Sequence, residues 1–203
     1  MVYFKNYIYF ILLLFFILGL SPVTVDNRTP QQTVKKLIDF ISGLKTEQPL
    51  SSKEQKTNQS LSHRALDLLD LNEVSRKTLG KHWKNRTSRE QQNFIGLLSQ
   101  MFIKEAFPNS GKFFSTLKLI FGKTKIKKLK VLVPVTVVHT EEGEISIDFH
   151  LIKNQDSWQV VDVYLDEISM RNNLRSQVYK IIAKKNYQEL IQLMEEKLKK
   201  TNS

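Results

Sequence analysis

From Leu129 to Val138 the chain reads Leu-Lys-Val-Leu-Val-Pro-Val-Thr-Val-Val. Leu129, Val131, Val133, Val135 and Val137 alternate with Lys130, Leu132, Pro134, Thr136 and Val138. A period of two belongs to a strand with one face turned to a core. Glu141-Glu142-Gly143 turns the chain, and Ile145, Ile147, Phe149 and Leu151 then alternate with Ser146, Asp148 and His150. Asn154–Ser157 turns it again into Trp158–Leu165. There Val161, Val163 and Leu165 fall on one face, and Trp158, Val160, Asp162 and Tyr164 on the other. Three consecutive strands joined by short turns make an antiparallel meander. Pro134 has no N–H to donate, which predicts an edge or a bulge at that point.

On either side of the meander the period is helical. Pro30 stands where a first turn would begin, and Val34, Leu37, Ile38, Ile41 and Leu44 follow at helical spacing. Thr46–Ser60 is polar and reads as a loop or a frayed helix start. Leu61, Ala65, Leu68 and Leu69 form a second stripe, and a short helix over Leu71–Leu79 stops at Gly80. Thr87-Ser-Arg-Glu90 is a capping box. It opens a helix over Ser88–Phe107 whose wide stripe includes Phe94, Leu98, Met101 and Phe102, and Pro108 should end it. Downstream, Met170–Lys184 and a segment opened by Asn186 and Glu189 are the closing helices. Helices first, a curled sheet next and helices last predict an α+β domain over residues 26–203. Helices on one face of a curved sheet would leave an apolar space between the layers.

The first 25 residues are of another kind. Tyr7–Leu20 is uncharged and follows Lys5, the only basic side chain before it. A basic start and an apolar run of about 7–15 residues mark an export signal. A spanning helix needs about 20. Gly19-Leu20-Ser21 offers a cleavage site, but Pro22 stands beside it, so removal and retention as a membrane tether both stay open. The chain has no cysteine, which excludes disulfides, thiolate metal sites and a lipidated cysteine. Its four histidines, His63, His82, His139 and His150, are isolated and show no metal-ligand spacing. No cofactor is expected.

Net charge is +11, concentrated in Lys123–Lys130 and Lys197–Lys200. Such charge suits nucleic acid or an anionic membrane surface. Export favours the membrane surface over nucleic acid, with solvated charge as the plain alternative. There is no Gly-x-Ser-x-Gly elbow and no Gly-rich phosphate loop.

Two segments carry a resemblance. The first is Leu69-Asp70-Leu71-Asn-Glu-Val-Ser75-Arg76-Lys-Thr-Leu79-Gly80-Lys-His82-Trp83, continuing through Thr87, Gln91 and Phe94. The second is Trp158-Gln-Val-Val161-Asp162-Val163-Tyr-Leu-Asp-Glu167-Ile168-Ser169-Met170, then Asn173-Leu-Arg175-Ser176-Gln177-Val178. Both resemble signature regions of the periplasmic phospholipid-carrier family of Mla-type (MlaC, or toluene-tolerance) ABC-transporter auxiliary proteins. The family pattern is departed from at Leu69 and Leu71, which stand for aromatics, at Ile168 for a glycine, and at Leu174 and Val178 for Tyr and Phe.

The resemblance implies an NTF2-like or cystatin-like fold holding phospholipid acyl chains between helices and sheet. It also implies a periplasmic shuttle between an outer-membrane lipoprotein or porin complex and an inner-membrane ABC transporter with an MCE-domain subunit. For lining of the cavity the apolar inventory offers Phe94, Leu98, Phe102, Val133, Val135, Phe149, Leu151, Val161 and Val163, each of which could equally be ordinary core. Trp83, Tyr164 and Arg175 are candidates for the mouth. Asp162, on a strand among apolar neighbours, either pairs with a cation or amide or serves as a general base, which would make the protein an NTF2-like enzyme. A membrane-tethered transporter adaptor is the third alternative.

Overall fold

The computed structural model describes residues 27–139, 143–154 and 157–200. Tyr7–Leu20, expected from its sequence to direct export, and Glu141 and Glu142, expected in a turn, lie outside them.

Helix α1 (Pro30–Ser42) starts at a reciprocal cap in which the Thr29 hydroxyl accepts from Gln32 N while the Gln32 side chain accepts from Thr29 N. Its stripe Val34, Leu37, Ile38 and Ile41 is buried. Helix α2 spans Ser52–Leu66, so of the two readings of Thr46–Ser60, loop or helix start, most of the segment takes the helical one. The start signal was there to read. Ser51 and Glu54 form a capping box, and a helix that buries only Ser62 and Ala65 needs few apolar residues.

Residues 67–70 then run beside the sheet. Asp70 N donates to Val160 O at 3.0 Å, and Val160 N donates to Leu68 O at 2.8 Å. Asp70 next caps α3 (Leu71–Leu79), accepting from Glu73 N. A 3-10 stretch over Gly80–Asn85 leads to α4 (Ser88–Met101), opened by the Thr87–Glu90 box.

Pro108 does not end that helix. A π-turn over Phe102–Ala106 joins α4 to α5 (Phe107–Ser115), and Pro108 sits within the first turn of α5. Phe107 N donates to Phe102 O, five residues back. The widened turn makes room for a residue that lacks an N–H and crowds the preceding carbonyls.

Among the described residues the sheet has six strands, three more than the meander expected. They are β1 (Lys118–Phe121), β2 (Lys125–Lys127), β3 (Lys130–His139), β4 (Gly143–Asn154), β5 (Ser157–Leu165) and β6 (Ile168–Ser169). Their order is β1-β3-β4-β5-β6, with β2 also on β3 and every pair antiparallel. Pro134 therefore lies on an interior strand, opposite the break between β1 and β2. Its carbonyl accepts from Gly122 N at 2.8 Å, so its N-side faces the break, where no ladder partner is needed. A Cβ on Gly122 would stand 2.9 Å from Pro134 Cγ, which requires glycine there.

The faces of β5 differ from simple alternation. Leu151 pairs with Val160 and His150 with Asp162, so Val161 is the extra residue of a bulge. Trp158 and Val160 join the helix-covered face before it, and Val163 and Leu165 after it. Asp162 and Tyr164 turn to the other side with His150. Asp166 and Glu167 both have positive φ (44° and 69°) in the two-residue hairpin from β5 to β6. Ile168, in the glycine's place, is thus an ordinary strand residue.

Helices α6 (Met170–Lys184) and α7 (Tyr187–Lys200) close the chain. Two apolar clusters result. One joins the sheet to α1, α2 and α5, and the other joins α3, α4, α6 and α7. Phe102, in the π-turn, packs against both.

Candidate functional site

The seam between the two clusters is hollow. A compartment of about 340 Å³ lies between β5 and the helices α3, α4 and α6, walled by Val74, Leu98, Met101, Val161 and Leu174. A second, of about 530 Å³, lies between the inner face of the sheet and α1 and α5, walled by Leu37, Ile41, Phe107, Phe113, Ile147 and Phe149. Leu69, Phe102, Ala106, Asn109, Val163 and Met170 belong to both, so the compartments adjoin.

Four of the six shared residues are delivered by local irregularities. Leu69 comes from the stretch hydrogen-bonded to β5, Phe102 and Ala106 from the π-turn, and Val163 from the strand just past the bulge. Asn109, Leu165 and Met170 are the exposed members of the lining and mark its rim.

The carboxylates at this lining are paired within the fold, whereas the buried Arg171 Nε has no hydrogen-bond partner. Glu105 is ion-paired with Lys197 at 2.6 Å. Asp162, buried at 5 % exposure, accepts from the Ser169 hydroxyl at 2.7 Å, from Val163 N at 2.9 Å and from Arg171 N at 3.1 Å. The Arg171 guanidinium lies 3.2 Å from Asp162 Oδ2 and also donates to Val161 O. With all four donors around it the carboxylate is held in place as a structural acceptor. His150 sits opposite Asp162 on β4, stacks on Tyr164 with ring centres 4.3 Å apart, and lines neither compartment. Burial holds its pKa below the ordinary histidine value, against the opposing pull of Asp162 and Asp148.

Of the cavity candidates read from sequence, Leu98 and Val161 stand at the first compartment, Phe149 at the second, and Phe102 and Val163 at both. Phe94 is packed inside the helical cluster, and Val133, Val135 and Leu151 inside the sheet cluster, away from either lining. The three mouth candidates lie elsewhere. Trp83 packs against the helical cluster, where its carbonyl accepts from Gln91 Nε2; Tyr164 stacks on His150; Arg175 runs beside Gly80. Leu69, Ala106, Asn109 and Met170 were not among the picks. Leu69 and Met170 fall in the two resemblance-bearing segments, and the sequence signal for Ala106 and Asn109 is Pro108, which interrupts an otherwise continuous apolar helix.

Residues 31–196 match the family model described as MlaC protein. The chain belongs to the MlaC family. The MlaC match spans both resemblance-bearing segments, all six strands and nearly every described helix. No curated protein gives a significant match to this MlaC-family chain. Seven chains among solved structures do. One is the phospholipid-binding protein from Ralstonia solanacearum, in complex with a phospholipid. It aligns with a TM-score of 0.71 at 17 % identity, over 87 % of this chain and 100 % of that one. At that identity the likeness speaks for the shared fold, helices combined with a curved antiparallel sheet.

Proposed function

We propose that this MlaC-family protein is a lipid carrier that holds acyl chains in the two adjoining apolar compartments. The observation that carries the reading is the hollow seam itself. Its walls are mainly aliphatic and aromatic, and the carboxylates in its lining, Glu105 and Asp162, are engaged by partners within the fold. The Ralstonia protein of the same fold is named for binding phospholipid, which supports the same cargo here.

The physics asks for such a container. Exposing an acyl chain of about 16 carbons to water costs on the order of 12 kcal/mol, at ~0.8 kcal/mol per methylene. A lipid crosses an aqueous compartment slowly unless a protein shields its chains. We further propose a periplasmic location and a non-enzymatic shuttle role. It would run between an outer-membrane complex and an inner-membrane ABC transporter with an MCE-domain subunit, and so serve outer-membrane lipid asymmetry. The engagement of Asp162 supports carriage over catalysis, because a general base needs a free lone pair facing the cavity.

Organic extraction of the purified protein followed by mass spectrometry tests the reading. Phospholipid recovered near one per chain is expected. Protein that carries no lipid, and takes up none from phospholipid vesicles, overturns it in favour of a tethered adaptor.

A further inference from the structure

Across the sheet from the seam, β2 and the start of β3 form a hairpin that the cavity does not use. Lys127 pairs with Lys130, and Lys128 takes the left-handed φ of 57° that closes the two-residue turn. Leu129 is the second residue of this turn and Ile126 stands just before Lys127, and each is 68 % exposed, the highest value among the large apolar side chains of the described residues. Around them stand Lys123, Lys125, Lys127, Lys128 and Lys130, all exposed. Among the described residues no carboxylate forms an ion pair with any of the five.

Lysines on a short edge strand guard against edge-to-edge pairing. Two bare aliphatic side chains on the same edge work against that protection, so protection alone does not account for the composition. A hairpin that carries exposed aliphatic side chains together with five exposed lysines is complementary to an anionic bilayer, with lysines meeting headgroup phosphates and the aliphatic side chains entering the interface. We propose that the Lys123–Lys130 hairpin docks the protein on anionic lipid membranes. The inference stands apart from the carrier reading, since it concerns a different surface and a different measurement.

The test is co-sedimentation of the full chain with vesicles of phosphatidylcholine alone and of phosphatidylcholine mixed with phosphatidylglycerol. The difference between the two cancels any contribution from the apolar Tyr7–Leu20. Binding is expected to favour the anionic vesicles and to fall with added salt. Lys125→Gln/Lys127→Gln/Lys128→Gln should weaken it roughly a hundredfold, at about fivefold per lysine. Ile126→Ser/Leu129→Ser should weaken it severalfold with net charge unchanged. These side chains are exposed, so circular dichroism should show both variants folded.

A control with Lys197 untouched and Lys199→Gln/Lys200→Gln separates site from net charge. If that control loses as much binding as the hairpin variants, the hairpin is not the site. Equal binding by wild type and hairpin variants overturns the proposal. So would hairpin variants that lose a protein partner while keeping full vesicle binding.

Discussion

Ser169 Oγ donates a 2.7 Å hydrogen bond to Asp162 Oδ2 and accepts from Asn172 N at 3.0 Å, so one hydroxyl ties strand β5 to the first turn of α6. Arg171 adds an ion pair from that same turn. The cavity wall formed by β5 and the helix that carries Met170 are clamped together across the tight turn at Asp166–Glu167.

Asp162→Asn should therefore destabilise the protein by about 2–4 kcal/mol. The amide offers one acceptor where four donors converge and leaves Arg171 without its counter-charge. Urea denaturation measures the loss. Lipid recovered per folded molecule should stay at the wild-type level, an outcome that an essential chemical role for Asp162 would not produce.

Ala106 stands where the two compartments meet. Ala106→Trp should fill the junction and lower copurified phospholipid severalfold. The indole enters existing empty space, so the melting temperature should change little. Unaltered lipid content in a folded variant would remove the junction from the binding site.

Gly111 lies where α5 crosses α1, and a Cβ there would come within 2.2 Å of the Ile41 carbonyl oxygen. A backbone carbonyl cannot swing aside, so α5 must move. Gly111→Ala should cost about 1–3 kcal/mol despite the better helix propensity of alanine. Because α5 carries Phe107 and Phe113, lipid occupancy should fall with stability. Thermal melting and lipid extraction on the same sample check both.

Burial lowers the pKa of His150 in the folded protein. A histidine whose folded pKa is depressed binds a proton more readily when unfolded. Its stabilising effect is complete above the unfolded value of about 6.5 and is lost as pH falls toward the folded one. Stability should decline between neutral pH and the mildly acidic range. His150→Phe, which keeps a ring against Tyr164, should flatten that decline in denaturation curves at several pH values. Burial, aided by Lys81 and Arg86, lowers the pKa of His82 similarly, so some slope should persist.

Local pattern was enough to reveal most of the fold. The two-residue period of β3 to β5, the Thr87–Glu90 box and the stripes of α1 and α4 are properties of neighbouring residues, and hydrophobic burial plus backbone hydrogen bonding turn them into elements directly. Strands β1, β2 and β6 and the first half of α2 escaped because their signals are weak or not local. Helix α2 is nearly all polar, and β1 and β2 are edge strands of three or four residues. What only the tertiary structure decided is the cavity. The same apolar residue types fill the core at Val133, Val135 and Leu151 and line the empty seam at Phe102, Phe149 and Val163, so composition cannot separate them. The separation comes from irregularities in backbone geometry: the π-turn beside Pro108, the bulge at Val161 and the pairing of residues 68–70 with β5. Each shifts an element by a residue or a partial turn, and together they keep two well-packed clusters from closing on one another.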